Sequence, residues 1–171
     1  DALMETLLTE EGNFVIDTGA NTFSNLLAYM VENEVFPLLR QARKATYVHT
    51  IVGGGDTLAD TANGFYAIAQ KVGGARIVLW FNEHFGEIKT AEGKPFTETQ
   101  AYRQSAARLT GTVMLYRRNP ATFGEDVRKL NTQRHTIAQA LASSDYTLME
   151  KQRIRTFSRD VFEQLRALKW Q

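Results

Sequence analysis

The sequence predicts an α/β protein in which helices cover both faces of a parallel β-sheet, with a helical C-terminal part over about residues 122–171. Short apolar segments alternate with stretches of helical periodicity, and crossovers of this kind make consecutive strands parallel. The apolar run at 77–81 has no polar face, which is typical of a central parallel strand. Because the sequence contains no linker or low-complexity tract, residues 1–171 are predicted to form one domain.

The individual elements follow from local signals along the chain. Asn21 is the predicted N-cap of the helix after the first strand, and Pro37 suits the first turn of the next helix. Thr57 and Asp60 have the spacing of a capping box. The strands are expected at Phe14–Ile16, Tyr47–Val52, Ile77–Phe81 and Thr112–Tyr116, and the later helices at about 97–109, 123–131, 137–141 and through the final stretch of the chain.

Composition excludes several classes of protein. Apolar residues make up 43% of the chain and charged residues 23%, which is too apolar for a disordered protein. No apolar run approaches the ~18 residues that a membrane-spanning helix needs. The sequence contains no cysteine, which excludes disulfide scaffolds, thiolate metal sites and cysteine nucleophiles. A cytoplasmic protein without a transmembrane segment is therefore expected.

Charge is distributed unequally between the two parts of the chain. Residues 1–100 contain 7 lysines and arginines against 13 acidic residues, whereas residues 101–171 contain 13 against 6. A basic half of this kind either faces phosphates or nucleic acid, or simply attracts the acidic half. Lys151, Arg155 and Arg159 are spaced four residues apart on the last predicted helix. Such a ridge is either a nucleic-acid contact or a solvated helix face.

Polar residues follow three of the predicted strands, and ligands of α/β sheets bind beyond the carboxyl ends of the strands. Asp17 is a candidate Mg²⁺ ligand, and Gly19 would let the backbone approach a phosphate closely. Asn82 has the donors and the acceptor that suit the edge of a nucleobase. Each of these residues is also an ordinary turn residue. The three strand ends are Asp17-Thr18-Gly19, Asn82-Glu83-His84 and Arg117-Arg118-Asn119.

Two other motifs do not indicate a ligand site. Gly53-Gly54-Gly55 lacks the Gly-Lys-Ser/Thr ending of a P-loop, so a strand-to-helix turn is the better interpretation. The histidines at 49, 84 and 135 have no metal-ligand spacing, so zinc is not expected.

The order of the motifs resembles the ParA/MinD class of P-loop ATPases and, within it, the TraL-type proteins of plasmid conjugation. The resemblance covers nearly all of the chain and depends on segments 15–20, 54–57, 80–86 and 122–126. It implies a P-loop NTPase-like fold and a homodimeric, nucleotide-dependent switch that binds ATP and Mg²⁺ and works with conjugation or partition proteins or plasmid DNA. It also implies roles for four residues: Asp17 as the catalytic and metal-binding residue, Gly19 near the γ-phosphate, Asn82 at the adenine, and Arg117 in the loop beside the base.

One defining feature of that class is missing from the sequence. Its Walker A loop precedes the switch strand, and the sixteen residues before Asp17 are too few to contain it. Either the chain is the C-terminal part of a longer ATPase, or it is a degenerate member that does not hydrolyse ATP. Because the chain begins with an aspartate and the downstream pattern is nearly intact, the first alternative is favoured.

Two interpretations from other classes stay open. Val15–Ala20 matches the active-site motif of a retroviral-type aspartic protease, but that fold is almost entirely β, and helical spacing follows directly after Ala20. A non-catalytic interaction module would instead bind DNA or a partner protein through the basic C-terminal half. This module is compatible with the missing P-loop.

Overall fold

Three parallel strands form the sheet in a computed structural model of the chain. The structure describes residues 1–170 apart from the side chain of Ala20. Gln171 of the predicted domain lies outside the described residues. The strands lie in the order β1 (Tyr47–Gly53), β2 (Arg76–Asn82) and β3 (Leu109–Leu115). The helices are α1 (Ala2–Thr9), α2 (Ala20–Glu32), α3 (Val35–Gln41), α4 (Leu58–Lys71), α5 (Gln100–Ser105), α6 (Glu125–Gln133), α7 (Ile137–Ala142) and α8 (Leu148–Ala167). Single turns of other helix types lie at Gly55–Thr57, Glu83–Phe85, Phe96–Glu98, Ala106–Arg108 and Pro120–Gly124.

The main core lies on one face of the sheet. Side chains alternate along a strand, so Ile77, Leu79 and Phe81 of β2 share this face. They belong to one buried apolar cluster with Phe65 and Ala69 of α4. The apolar run that predicted a central strand is therefore the middle of the sheet, as expected.

The long helix α8 packs on the other face, along β3. The chain just after it reaches Gly111, where a Cβ would overlap the end of the Leu168 side chain, so the two elements are in close contact. In the last turn of α8, the Gln164 amide accepts from Met114 N–H at 2.6 Å and donates to Met114 C=O at 3.0 Å. Helices thus lie on both faces of a parallel sheet, which confirms the predicted α/β class.

A second, smaller core joins α8 to α6 and α7. Ala140, Tyr146 and Ile154 are its buried members. Beside it, Asp126 is 2% exposed and receives two hydrogen bonds from Arg153, at 2.6 and 2.8 Å. Because an unpaired buried carboxylate would be costly, this ion pair fixes α6 against α8.

The predicted strand at Phe14–Ile16 is wrong. These residues lie in irregular chain between α1 and α2, and Val15 is 96% exposed. Three apolar residues become a strand only when a neighbouring strand supplies hydrogen bonds, and no strand pairs with them in the described part of the chain.

Two predicted helix caps are also wrong. Helix α2 begins at Ala20, so its N-cap is Gly19 rather than Asn21. The Thr57 hydroxyl does not accept from the first turn of α4 but donates to Gly54 C=O at 2.9 Å. Pro37 does lie in the first turn of its helix, as predicted.

Candidate functional site

The loops after β2 and β3 meet at the carboxyl edge of the sheet. The two strands are paired so that Asn82 lies beside Leu115. One residue farther along, the Glu83 carboxylate accepts a hydrogen bond from Arg117 N–H at 3.2 Å. Two of the four predicted site residues, Asn82 and Arg117, are therefore brought together at this edge.

Asn82 has both a structural role and a free donor. Its Oδ1 atom accepts from His84 N–H at 3.0 Å, which caps the turn at Glu83–Phe85. Among the described residues, no acceptor is bonded to its Nδ2 group. A carbonyl-type oxygen has two lone pairs, so the amide retains one acceptor position and its NH₂ for a ligand.

The glycine turn after β1 supports this loop and does not offer a phosphate cradle. Gly54 N–H donates to Asn82 C=O at 3.0 Å, and Gly55 N–H donates to Glu87 C=O at 3.3 Å. A Cβ on Gly54 would overlap the Gly86 carbonyl oxygen, so the two backbones touch. Because the N–H groups are already used, the interpretation as a structural turn is supported.

Two aromatic side chains are exposed beside these loops. Phe85 is 63% exposed and packs edge-on against His84, with ring centroids 4.7 Å apart. Tyr116, directly after β3, is 59% exposed. Exposed aromatic faces next to a free amide suit a planar, partly polar ring.

Arg118 holds the loop after β3 in place, whereas Arg117 is exposed. The Arg118 guanidinium lies 5.4 Å from the ring centre of Phe123 and 5.5 Å from that of Phe157. It also forms an ion pair with Asp160 at 2.5 Å. Sequence analysis missed this role, because the aromatic and acidic partners lie up to about forty residues away along the chain.

A shallow cleft of about 300 Å³ opens next to Arg118, between the loop after β3 and α8. Its two arginines are each paired with an aspartate, so the cleft has little net charge. The lining residues are Arg118, Asn119, Thr122, Phe123, Gln152, Arg153 and Thr156.

Asp17 and Gly19 do not join this arrangement. They lie in the irregular segment between α1 and α2. This segment contacts the chain just before β1, where the Lys44 ammonium is 5.4 Å from the Phe14 ring centre. In residues 1–170 the Asp17 carboxylate has no hydrogen bond or ion pair, and no group of three potential metal ligands is present. The described residues therefore bring Asn82 and Arg117 together but leave Asp17 and Gly19 apart from them.

Two proteins from Escherichia coli, both named TraL, are similar to this chain. One is 35% identical over 168 residues, a match that covers 98% of this chain and 69% of the relative. The other is 34% identical over 166 residues, covering 96% and 68%. No protein-family model matches the sequence, and no solved structure matches it. Within residues 1–170, no helix is both long enough and apolar enough to cross a bilayer.

Proposed function

The chain belongs to the TraL family, and on that premise we propose that it acts in plasmid conjugal transfer as part of a nucleotide-dependent switch of the ParA/MinD kind. The proposal assigns the adenine end of the nucleotide to the carboxyl edge of the sheet. Asn82 would bind the edge of the base, and the loop containing Arg117 would flank it.

The observation that carries this proposal is the free amide of Asn82 at a sheet edge whose two loops each contain an exposed aromatic side chain. Adenine presents an N–H donor at N6 beside an acceptor at N7, and one amide can satisfy both. Asn82 Nδ2 is the donor for N7, and the second lone pair of Oδ1 is the acceptor for N6. Phe85 and Tyr116 offer apolar faces for the ring itself.

The described residues do not fit the phosphates or Mg²⁺ in the same way. The glycine turn has no N–H to spare, and Asp17 is not brought to the site. The roles of Asp17 as a metal-binding catalytic residue and of Gly19 at the γ-phosphate stay predictions for a site completed by further elements. Hydrolysis is accordingly tested with a full-length TraL protein, in which Asp17→Ala is expected to abolish turnover.

Base binding is tested in this chain by Asn82→Asp. The aspartate keeps an acceptor for His84 N–H, so the turn is preserved, but it places a carboxylate against N7 in place of a donor. We expect the affinity for ATP and for adenosine to fall by about 1–3 kcal/mol, the scale of one bidentate amide–base contact. Equilibrium titration of both ligands measures this.

Asn131→Asp is the matched control, because Asn131 is an exposed asparagine on α6, away from the site. It should bind both ligands like the wild-type chain. If Asn82→Asp also binds like the wild-type chain, Asn82 is only a turn residue and the proposed site is wrong. If the wild-type chain binds neither ligand at millimolar concentration, nucleotide binding by these residues is refuted.

A second candidate function is the interaction module that binds through the basic C-terminal half. One observation favours it: α8 turns a row of arginines away from the sheet. This module does not need a phosphate-binding loop. The two functions use different surfaces, so the same protein can perform both.

A further inference from the structure

Three arginines and one phenylalanine form a stripe on the outer face of α8. Arg155, Arg159, Phe162 and Arg166 follow one another at spacings of four, three and four residues, which places them on one side of the helix. All four side chains are exposed, and Phe162 is 49% exposed. We call these four residues the α8 stripe.

Two of the three acidic residues of α8 are paired with cations outside the helix, and the third, the exposed Glu163, leaves the stripe with a net positive charge. Asp160 pairs with Arg118 at 2.5 Å, and Glu150 pairs with Lys129 at 3.0 Å. Among the described residues, neither Arg155 nor Arg166 forms an ion pair, and the only one of Arg159 is a long contact of 3.8 Å to Asp160. A solvated helix face would more commonly contain alternating charges that pair along the helix.

The spacing of the stripe fits an extended chain of phosphates. Eleven residues separate Arg155 from Arg166, which is about 16 Å along the helix axis. Phe162 lies between the second and third arginine, as an exposed ring in the middle of the positive charge. A cationic track with an aromatic ring in it is the arrangement that binds single strands, because unpaired bases can stack on the ring.

From these observations we propose that the α8 stripe binds single-stranded nucleic acid, with the three arginines on phosphates and Phe162 stacked on a base. The inference rests on the second candidate function and names its ligand. It does not involve Asn82 or the loop after β3, so its failure would leave the nucleotide site untouched.

The test is fluorescence anisotropy with a labelled oligothymidylate of about 20 nucleotides, longer than the usual site of one small domain. Changing the three stripe arginines to glutamine is expected to weaken binding at least about tenfold at low salt. It should also reduce the slope of log affinity against log salt by about 2, since each phosphate contact on a single strand contributes about 0.7.

Phe162→Ala separates stacking from charge. It should weaken binding about tenfold with an unchanged salt slope, because a stacking contact releases no counterions. The matched charge control changes Arg40, Lys94 and Arg103 to glutamine, three exposed cations outside α8. It alters net charge equally and should change the affinity less than about threefold.

Several results would overturn the proposal. It is wrong if the wild-type chain does not bind the oligonucleotide at low salt, or if the charge control loses as much affinity as the stripe variant. It is also wrong if duplex DNA, anionic vesicles or polyglutamate displaces the oligonucleotide as well as unlabelled single strand does. In that last case the module survives with a different partner, and the single-strand assignment does not.

Discussion

The two outer edges of the sheet are finished differently. On β3, the outward backbone of Met114 is satisfied by the Gln164 amide, with one bond to its N–H and one to its C=O. At this one residue the side chain thus takes the place of a fourth strand. Exposed strand edges are templates for pairing with other chains, and a covering helix removes that possibility.

On β1, the outward backbone is bonded at the carboxyl end, where Gly53 N–H donates to Thr61 Oγ1 at 3.0 Å, but not in the middle of the strand. Thr46 C=O and Gly54 N–H, at the two ends of the strand, both bond to β2. Because backbone groups alternate in direction along a strand, those of the even-numbered residues between them also face β2. His49 and Ile51 therefore direct their backbone groups outward, and no strand or side chain in the described part of the chain bonds to them there. The Ile51 side chain is 52% exposed.

This difference leaves the middle of β1 with backbone groups that another strand could bond, whereas the Gln164 amide already occupies those of Met114 on β3. The segment Phe14–Ile16, apolar yet exposed, precedes Asp17 on the β1 side, where Lys44 contacts Phe14.

The largest effect is expected from truncating a buried residue of α8, the helix that packs along β3. Ile154 of α8 is 1% exposed, so Ile154→Ala should lower the free energy of unfolding by about 2–5 kcal/mol. Ile51→Ala makes the same chemical change on the open side and should cost less than about 1 kcal/mol, because the side chain is half in water already. Urea denaturation of both variants measures the difference. Equal losses would mean that the Ile51 side chain on β1 is buried after all.

A smaller effect is expected from opening the β3 edge itself. Gln164→Leu keeps an apolar side chain on β3 but leaves the N–H and C=O of Met114 without partners, at a cost of about 1–3 kcal/mol. The control is Gln152→Leu on the same helix, where the glutamine is exposed and the change should stay within about 0.5 kcal/mol. If the two variants are equally stable, Gln164 does not close the edge.

The sequence contained enough information for part of this picture. The runs at 77–81 and 112–116 predicted strands that formed, and these two strands bring Asn82 and Arg117 onto adjoining loops. Phe14–Ile16 has the same apolar character and formed no strand, because pairing depends on a neighbour that local sequence does not reveal.

The different roles of Arg117 and Arg118 could not be predicted from the sequence either. The two adjacent arginines are the same residue type at one strand end, yet one is exposed and the other lies between two aromatic rings. That difference is set by where α8 packs, which places Phe157 and Asp160 beside the loop. Only long-range packing decides which of the two positions the loop.

The smallest effect concerns pH on the open side. His49 Nδ1 accepts from Trp80 Nε1–H at 3.0 Å, which requires the neutral ring, and partial burial lowers the pKa of His49 below 6.5. The unfolded chain then binds more protons than the folded one, so stability should fall as pH drops below 6.5 and through the folded pKa. His49→Gln should remove this loss, as seen in urea midpoints between pH 7 and pH 5.

A second acid effect is separable from it. The Thr147 N–H and then Lys129 lower the pKa of Glu150 from 4.5 to about 2 at the start of α8. The stability that this carboxylate contributes is therefore present above pH 4.5 and is lost only as pH falls toward 2. A loss between pH 7 and pH 5 that persists in His49→Gln would contradict the assignment to His49.

The claim that the sheet is closed at β3 and open at β1 is tested most directly by amide hydrogen exchange of single residues. The N–H of Met114 is bonded to Gln164, whereas the N–H of Ile51 points outward and has no partner within residues 1–170. We expect the Met114 amide to be strongly protected and the Ile51 amide to exchange nearly as fast as in an unfolded chain. Equal protection of the two amides, or slower exchange at Ile51 than at Met114, would contradict this account.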